Sequence, residues 1–243
     1  QGWNDKVTNE LFMWKKFVDE EPQPGNGESA DTLNERFLWH SKVFSVFLGS
    51  LERFERPSIL DLGPVTNQNI SYYGELGWKV HAHDILEEYG EAVKRAKAMP
   101  RVEIDEDNAP PNPIEEILDE WNHEPGSLHG VLCWDVLDRL PLVWTRELVR
   151  RVALALDENG VILSIFGAKS RATEKEPHRG FRIRDDKNLE PIMDNCPHLE
   201  RFNYENGEIM SLFADFKVLN FYLMKNNFRE ILVQKQPQAS LKV

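Results

Sequence analysis

Apolar positions along the chain follow two regimes. Up to about residue 52 they recur at helical spacing. Leu11, Trp14, Phe17 and Val18 form one stripe, which Pro22-Gln23-Pro24-Gly25-Asn26-Gly27 interrupts. Phe37, Leu38, Val43, Phe44, Phe47, Leu48 and Leu51 form a second, which predicts a helix over about 31–51. Beyond Ser58 short apolar runs alternate with amphipathic stretches. Runs at 58–62, 78–83, 102–104, 128–134 and 161–166 predict five strands. Stretches at 69–76, 86–99, 114–121 and 144–156 predict the helices between them. Gly77 supplies a helix C-cap, Pro100 a stop and Asn159-Gly160 a turn. Such alternation implies right-handed crossovers and a mostly parallel sheet. The end of the chain differs. Runs at 216–224 and 228–234 are joined only by Lys225-Asn226-Asn227, too short for a crossover, so they pair as an antiparallel hairpin.

These elements predict an α/β, Rossmann-like three-layer sandwich, with a mostly parallel seven-stranded sheet that closes on the antiparallel hairpin. Residues 1–52 form a helical extension or lid, 53–236 the main domain and 237–243 a tail. Residues 168–204 form an excursion, read over 167–187 as a long loop.

Charge narrows the range of partners. Forty-one acids against 29 Lys and Arg give the 243 residues a formal charge of −12. That disfavours nucleic acid and anionic membranes, which both need a positive field. No apolar run approaches the roughly 20 residues that span a bilayer. Residues 1–20 carry Asp5, Glu10, Asp19 and Glu20 and no apolar signal core, so a secretory leader is not expected. Cys133 and Cys196 stand far apart with no Cys-x-x-Cys pair, against both a zinc finger and a disulfide scaffold. A reducing cytoplasm is the expected compartment. Seven Trp and thirteen Phe are enough to fill a core or a homodimer interface.

In an open parallel sheet ligands bind beyond the carboxyl ends of the strands, where the strand order reverses. The end of the first main strand reads Ile59-Leu60-Asp61-Leu62-Gly63-Pro64-Val65-Thr66-Asn67. Gly63 permits a tight turn and close approach of a ligand to the backbone. Asp84 ends the second strand, where an acid accepts hydrogen bonds from both hydroxyls of a ribose.

Strand, Asp-Leu-Gly, helix, strand, acid, and then Gly130-Val-Leu-Cys-Trp-Asp-Val-Leu-Asp-Arg-Leu-Pro141 resembles the class I S-adenosylmethionine-dependent methyltransferases. Residues 153–168 are similar to that family's helix, Asn-Gly turn and fifth strand, and 216–235 to its closing hairpin. The likeness spans about 55–168 and 205–235. It implies S-adenosylmethionine as cofactor, S-adenosylhomocysteine as product and a methyl acceptor, taken from the acidic charge to be a small molecule. It places Asp61 and Gly63 along the methionyl part of the cofactor and Asp84 on the ribose. Asp107 or Asn108 falls by the adenine, and Trp134 and Asp135 face the methyl-transfer site. The chain departs from the family's acid-x-Gly-x-Gly-x-Gly pattern. Val65 and Asn67 replace the later glycines and put Cβ atoms beside the methionyl end. Arg139 stands where the family often has His.

A general base is needed only for an acceptor protonated near neutral pH. His40, Asp135 and His178 are the candidates. His178-Arg179-Gly180-Phe181-Arg182-Ile183-Arg184 is a basic island, either a solvated loop or a clamp for an anionic acceptor. His81 and His83 share one strand face, but the rest of a metal-ligand set is absent from the pattern, so no metal is expected. Two other functions compete. The depleted glycine motif favours a non-catalytic binding protein on the same fold. The spacing from Gly63 to Asp84 also suits a nicotinamide-dependent oxidoreductase, against which stands the missing Gly-x-Gly-x-x-Gly fingerprint.

Overall fold

A computed structural model describes residues 38–98, 113–121, 123–167, 180–192, 199, 201–224 and 228–237. The chain divides into two compact units, Gln1–Arg36 and Phe37–Val243, and every described residue belongs to the second. The stripe at 11–18, the break at 22–27 and the expected strand at 102–104 lie outside the described residues.

The described elements are β1 (Trp39–His40), α1 (Phe44–Leu51), β2 (Ser58–Asp61), α2 (Asn67–Glu75), β3 (Lys79–Ala82), α3 (Ile85–Ala98), α4 (Pro113–Asp119), β4 (Leu128–Trp134), α5 (Leu142–Ala155), β5 (Leu156–Phe166), β6 (Phe181–Ile183), β7 (Asn188–Pro191), α6 (Asn206–Leu212), β8 (Phe216–Leu223) and β9 (Arg229–Lys235). They build an α/β, Rossmann-like domain. Six strands make the main sheet in the order β3-β2-β4-β5-β9-β8. β3, β2, β4 and β5 are parallel, and β9 enters antiparallel between β5 and β8. Strand order therefore reverses at β2 and β4, whose carboxyl ends carry Asp61 and Trp134.

Local chemistry accounts for these elements. All of β2 and nearly all of β4 are buried, because both are flanked by strands and covered. Gly130 in β4 lets α1 close on the sheet, since a Cβ there would come within 2.9 Å of Phe47 and 3.0 Å of Leu51. Thr66 caps α2 by accepting from the Asn69 amide at 3.1 Å, and Gly77, with φ of +74°, ends the following turn. A reciprocal capping box between Glu205 and Glu208 starts α6. No helix among the described residues is long and apolar enough to cross a membrane.

Three expectations are corrected. The helix predicted over 31–51 is described only from Phe44. Trp39 and His40 instead form β1, paired antiparallel with Leu189 and Asn188. The reason lies in one local and one distant bond: Ser41 Oγ accepts from the Phe44 amide at 3.0 Å and so starts the helix late, while Trp39 Nε1 donates to buried Glu230 at 2.6 Å. The excursion is not all loop. Its β6 and β7 pair antiparallel, and with β1 they make a second, three-stranded sheet. Finally, β5 begins at Leu156 rather than Val161. Leu128 pairs with Leu156 and Gly130 with Val161, so residues 157–160 bulge out of the ladder, with Asn159 at φ of +71°.

Candidate functional site

Asp61 sits buried at the end of β2, and four donors surround it, one of them the Asn69 side chain. The Gly63 amide and the Trp134 indole both donate to its Oδ1, at 3.0 and 2.9 Å, and the Tyr73 hydroxyl reaches Oδ2 at 3.5 Å. Burial still outweighs these bonds and raises its pKa from 3.8 to about 6. Burial, with the Asp61 charge beside it, drives the Tyr73 hydroxyl well above its ordinary value.

Trp134 is fully buried. A Cβ built on Gly63 would lie 2.8 Å from its Nε1 and 3.0 Å from its Cδ1. The indole edge thus rests in the hollow that the glycine leaves. Phe44 and Phe181 pack on it, with ring centroids at 5.8 and 6.1 Å.

The second sheet is held over this cluster by an amide side chain. Asn69 Nδ2 donates to the Phe181 carbonyl at 3.0 Å, and its Oδ1 accepts from the Ile183 amide at 2.9 Å. Gly180 seats the hairpin on the loop after β2, because a Cβ there would lie 2.6 Å from Pro64 Cδ.

Beside this closed cluster is an open cleft of about 500 Å³ lined by residues 64–68, Asp84, Glu87, Arg182 and Ile192. Asp84 Oδ1 accepts from the Glu87 amide at 3.1 Å and so caps α3. Arg182 lies 3.6 Å from Glu190, and Arg184 pairs with the same carboxylate. One arginine of the basic island therefore lines the cleft. Val65 and Asn67 are exposed at its mouth.

The carboxyl ends of β4 and β5 carry a second polar cluster. Asp135, at φ of +57°, pairs with Arg139 at 3.1 Å and with Arg201. Arg201 also holds Asp138, which accepts from the Gly167 amide at 2.6 Å. Arg229 donates to the Gly167 and Tyr204 carbonyls. Burial raises the pKa of Asp138, and the Arg201 guanidinium opposes that rise. Both oxygens of Asp135 thus hold guanidinium groups, which makes it an anchor for the segment that carries Arg201.

The predicted residues separate. Asp61, Gly63 and Trp134 meet in the closed cluster, and Asp84 lines the cleft. His40 is exposed on β1 with its Nδ1 3.2 Å from Asn188 Oδ1. Asp107, Asn108, His178 and Cys196 lie outside the described residues. His83 Nε2 faces Trp121 Nε1 at 2.9 Å and Glu88 at 3.0 Å, and the His81 ring meets His123 edge-on. Cys133 is buried, which pushes its thiol up to about 12, so it is a core residue. Asn69, Arg201 and Glu230 were not singled out from the sequence. Their roles depend on partners more than 60 positions away, and no local pattern marks them.

No protein-family model matches the sequence, and no curated protein does. Among solved structures the chain is similar to a SAM-dependent methyltransferase from Mesorhizobium loti, with 16% identity over 80% of this chain and 98% of that one and a TM-score of 0.47. It is also similar to one from Methanosarcina mazei, with 13% identity over 79% and 97% and a TM-score of 0.46. A third is Burkholderia thailandensis 1,6-didemethyltoxoflavin-N1-methyltransferase, bound to 1,6-didemethyltoxoflavin and S-adenosylhomocysteine, with 14% identity over 91% and 98% and a TM-score of 0.43.

Proposed function

We propose that the chain binds S-adenosylmethionine by its nucleoside end in the Asp84 cleft and transfers the methyl group to a small-molecule acceptor. One observation carries this reading. The cleft opens at the reversal of strand order, between the loop after β2 and an acid at the end of β3. That is where a doubly wound sheet takes a ribose-bearing cofactor. When bound, the cofactor supplies an activated methyl group, and the protein supplies alignment and exclusion of water. Asp84 would accept the ribose hydroxyls, and the loop at 64–68 would border the nucleoside. Arg182 would place a positive charge at the cleft wall, suited to an anionic group on the acceptor.

The fit is good at the nucleoside end and poor at the methionyl end, where Trp134 fills the approach to Gly63. That observation favours a second reading, a non-catalytic binding protein on the same architecture. Calorimetric titration with S-adenosylmethionine and S-adenosylhomocysteine tests the first. Binding to the wild type should fall about tenfold or more in Asp84→Asn, a loss of at least about 1.4 kcal/mol. The asparagine keeps an acceptor for the Glu87 amide, so the helix cap survives. Equal binding by the variant, or no binding by the wild type, would refute the assignment. Titration with NAD would then test the nicotinamide reading.

A further inference from the structure

The hollow over Gly63 is the point where a ligand would come closest to the backbone of the β2 loop. In this chain a side chain already occupies it. Trp134 Nε1 lies 2.8 Å from where a Gly63 Cβ would be, and its N–H shares Asp61 Oδ1 with the Gly63 amide. Phe44 and Phe181 back the ring. Asn69 fixes Phe181 and Ile183 through two hydrogen bonds, so the closure is braced by the second sheet. The adjoining cleft with Asp84 stays open.

We infer that Trp134 is a gate that divides the cofactor site in two. A nucleoside enters the Asp84 cleft with the gate shut, whereas the amino-acid tail of the cofactor reaches Gly63 and Asp61 only when the indole withdraws. This inference rests on the reading of the Asp84 cleft as the nucleoside subsite. The exchange is chemically matched, because the ammonium of the tail would replace the indole N–H as a donor to Asp61. It carries a cost even so. A ligand that needs a minor conformation binds more weakly by the fraction of time that conformation is populated. Ligands with the tail bear that cost and ligands without it do not, so the gate sets specificity against tail length.

Two probes separate the subsites. Both carry the same thioether nucleoside, but 5′-methylthioadenosine ends in a methyl group and S-adenosylhomocysteine in the amino-acid tail. Each is titrated calorimetrically into the wild type, Trp134→Phe and Trp134→Ala. The phenylalanine variant keeps an aromatic ring in the core and removes the N–H on Asp61, so it decides the matter should the alanine variant fail to fold. The wild type should bind 5′-methylthioadenosine at least as tightly as S-adenosylhomocysteine. Trp134→Phe should bind S-adenosylhomocysteine about tenfold more tightly than the wild type does, with 5′-methylthioadenosine changed by less than about threefold. Tighter binding of S-adenosylhomocysteine by the wild type, weakened in Trp134→Phe, would overturn the gate and make the indole part of the cradle for the tail. Binding of neither probe by any folded variant would overturn the nucleoside subsite itself, and with it the gate.

Discussion

Asp61→Asn tests the electrostatics of the closed cluster through stability alone. The carboxyl is buried, and its pKa of about 6 in the folded chain stands against an ordinary 3.8. Folded Asp61 therefore holds its proton more tightly than unfolded Asp61 does. Its contribution to stability is greatest below the ordinary value and falls as the pH rises from about 4 through about 6. Once the pH exceeds both values, the loss amounts to about 3 kcal/mol. About 2 kcal/mol of that falls between about pH 4.5 and about pH 8. Asparagine carries no charge at any of these pH values. Its Oδ1 can still accept from Gly63 and Trp134, and its amide faces the Tyr73 hydroxyl, which both donates and accepts. Urea unfolding of both proteins across this range gives the difference directly. The stability of Asp61→Asn relative to the wild type should grow by about 2 kcal/mol from the acid end to the alkaline end. A flat difference would mean that the four donors hold Asp61 ionised throughout and fully offset its burial.

Two further variants probe the polar braces around the site. Arg201→Met leaves Asp135 and Asp138 buried with fewer counter-charges and should cost about 3–5 kcal/mol in urea unfolding; a cost under about 1 kcal/mol would show that Arg139 and the Gly167 amide satisfy the pair alone. Asn69→Ala removes the acceptor of the Ile183 amide and the side-chain donor to the Phe181 carbonyl, at an expected cost of about 2 kcal/mol. Hydrogen exchange at Ile183 should speed up in that variant ahead of exchange in β4, and unchanged protection would show that another group braces the hairpin.

Much of the main sheet was legible because its strands announce themselves by composition. A strand buried on both faces reads as a near-continuous apolar run, as 130–134 does, and a connection of three residues permits only a hairpin. The second sheet carried no such mark. β1 is two residues long and pairs with a strand almost 150 positions away. Trp39 falls close to the same helical stripe as Val43, Phe44, Phe47 and Leu51, and all five are buried. Periodicity records that a position is buried and does not say by which element. Here the Glu230 carboxylate and the Ser41 hydroxyl decided where the helix starts, and neither lies in the stripe.

The site shows a sharper form of the same limit. The resemblance places the crowding at Val65 and Asn67. In the fold both are exposed and line the mouth of the cleft. The crowded position is Gly63, where the Trp134 indole fills the hollow. A glycine creates a hollow, and whether a ligand or a side chain of the protein fills it depends on what the neighbouring strand brings to the same end of the sheet. β4 pairs with β2 so that Asp61 stands opposite Leu132, which carries Trp134 just past the end of β2 and its indole onto Asp61 and Gly63. Under the proposed function, the residue that would admit the cofactor tail is therefore 71 positions from Gly63, on another strand. Only the register between the two strands brings them together.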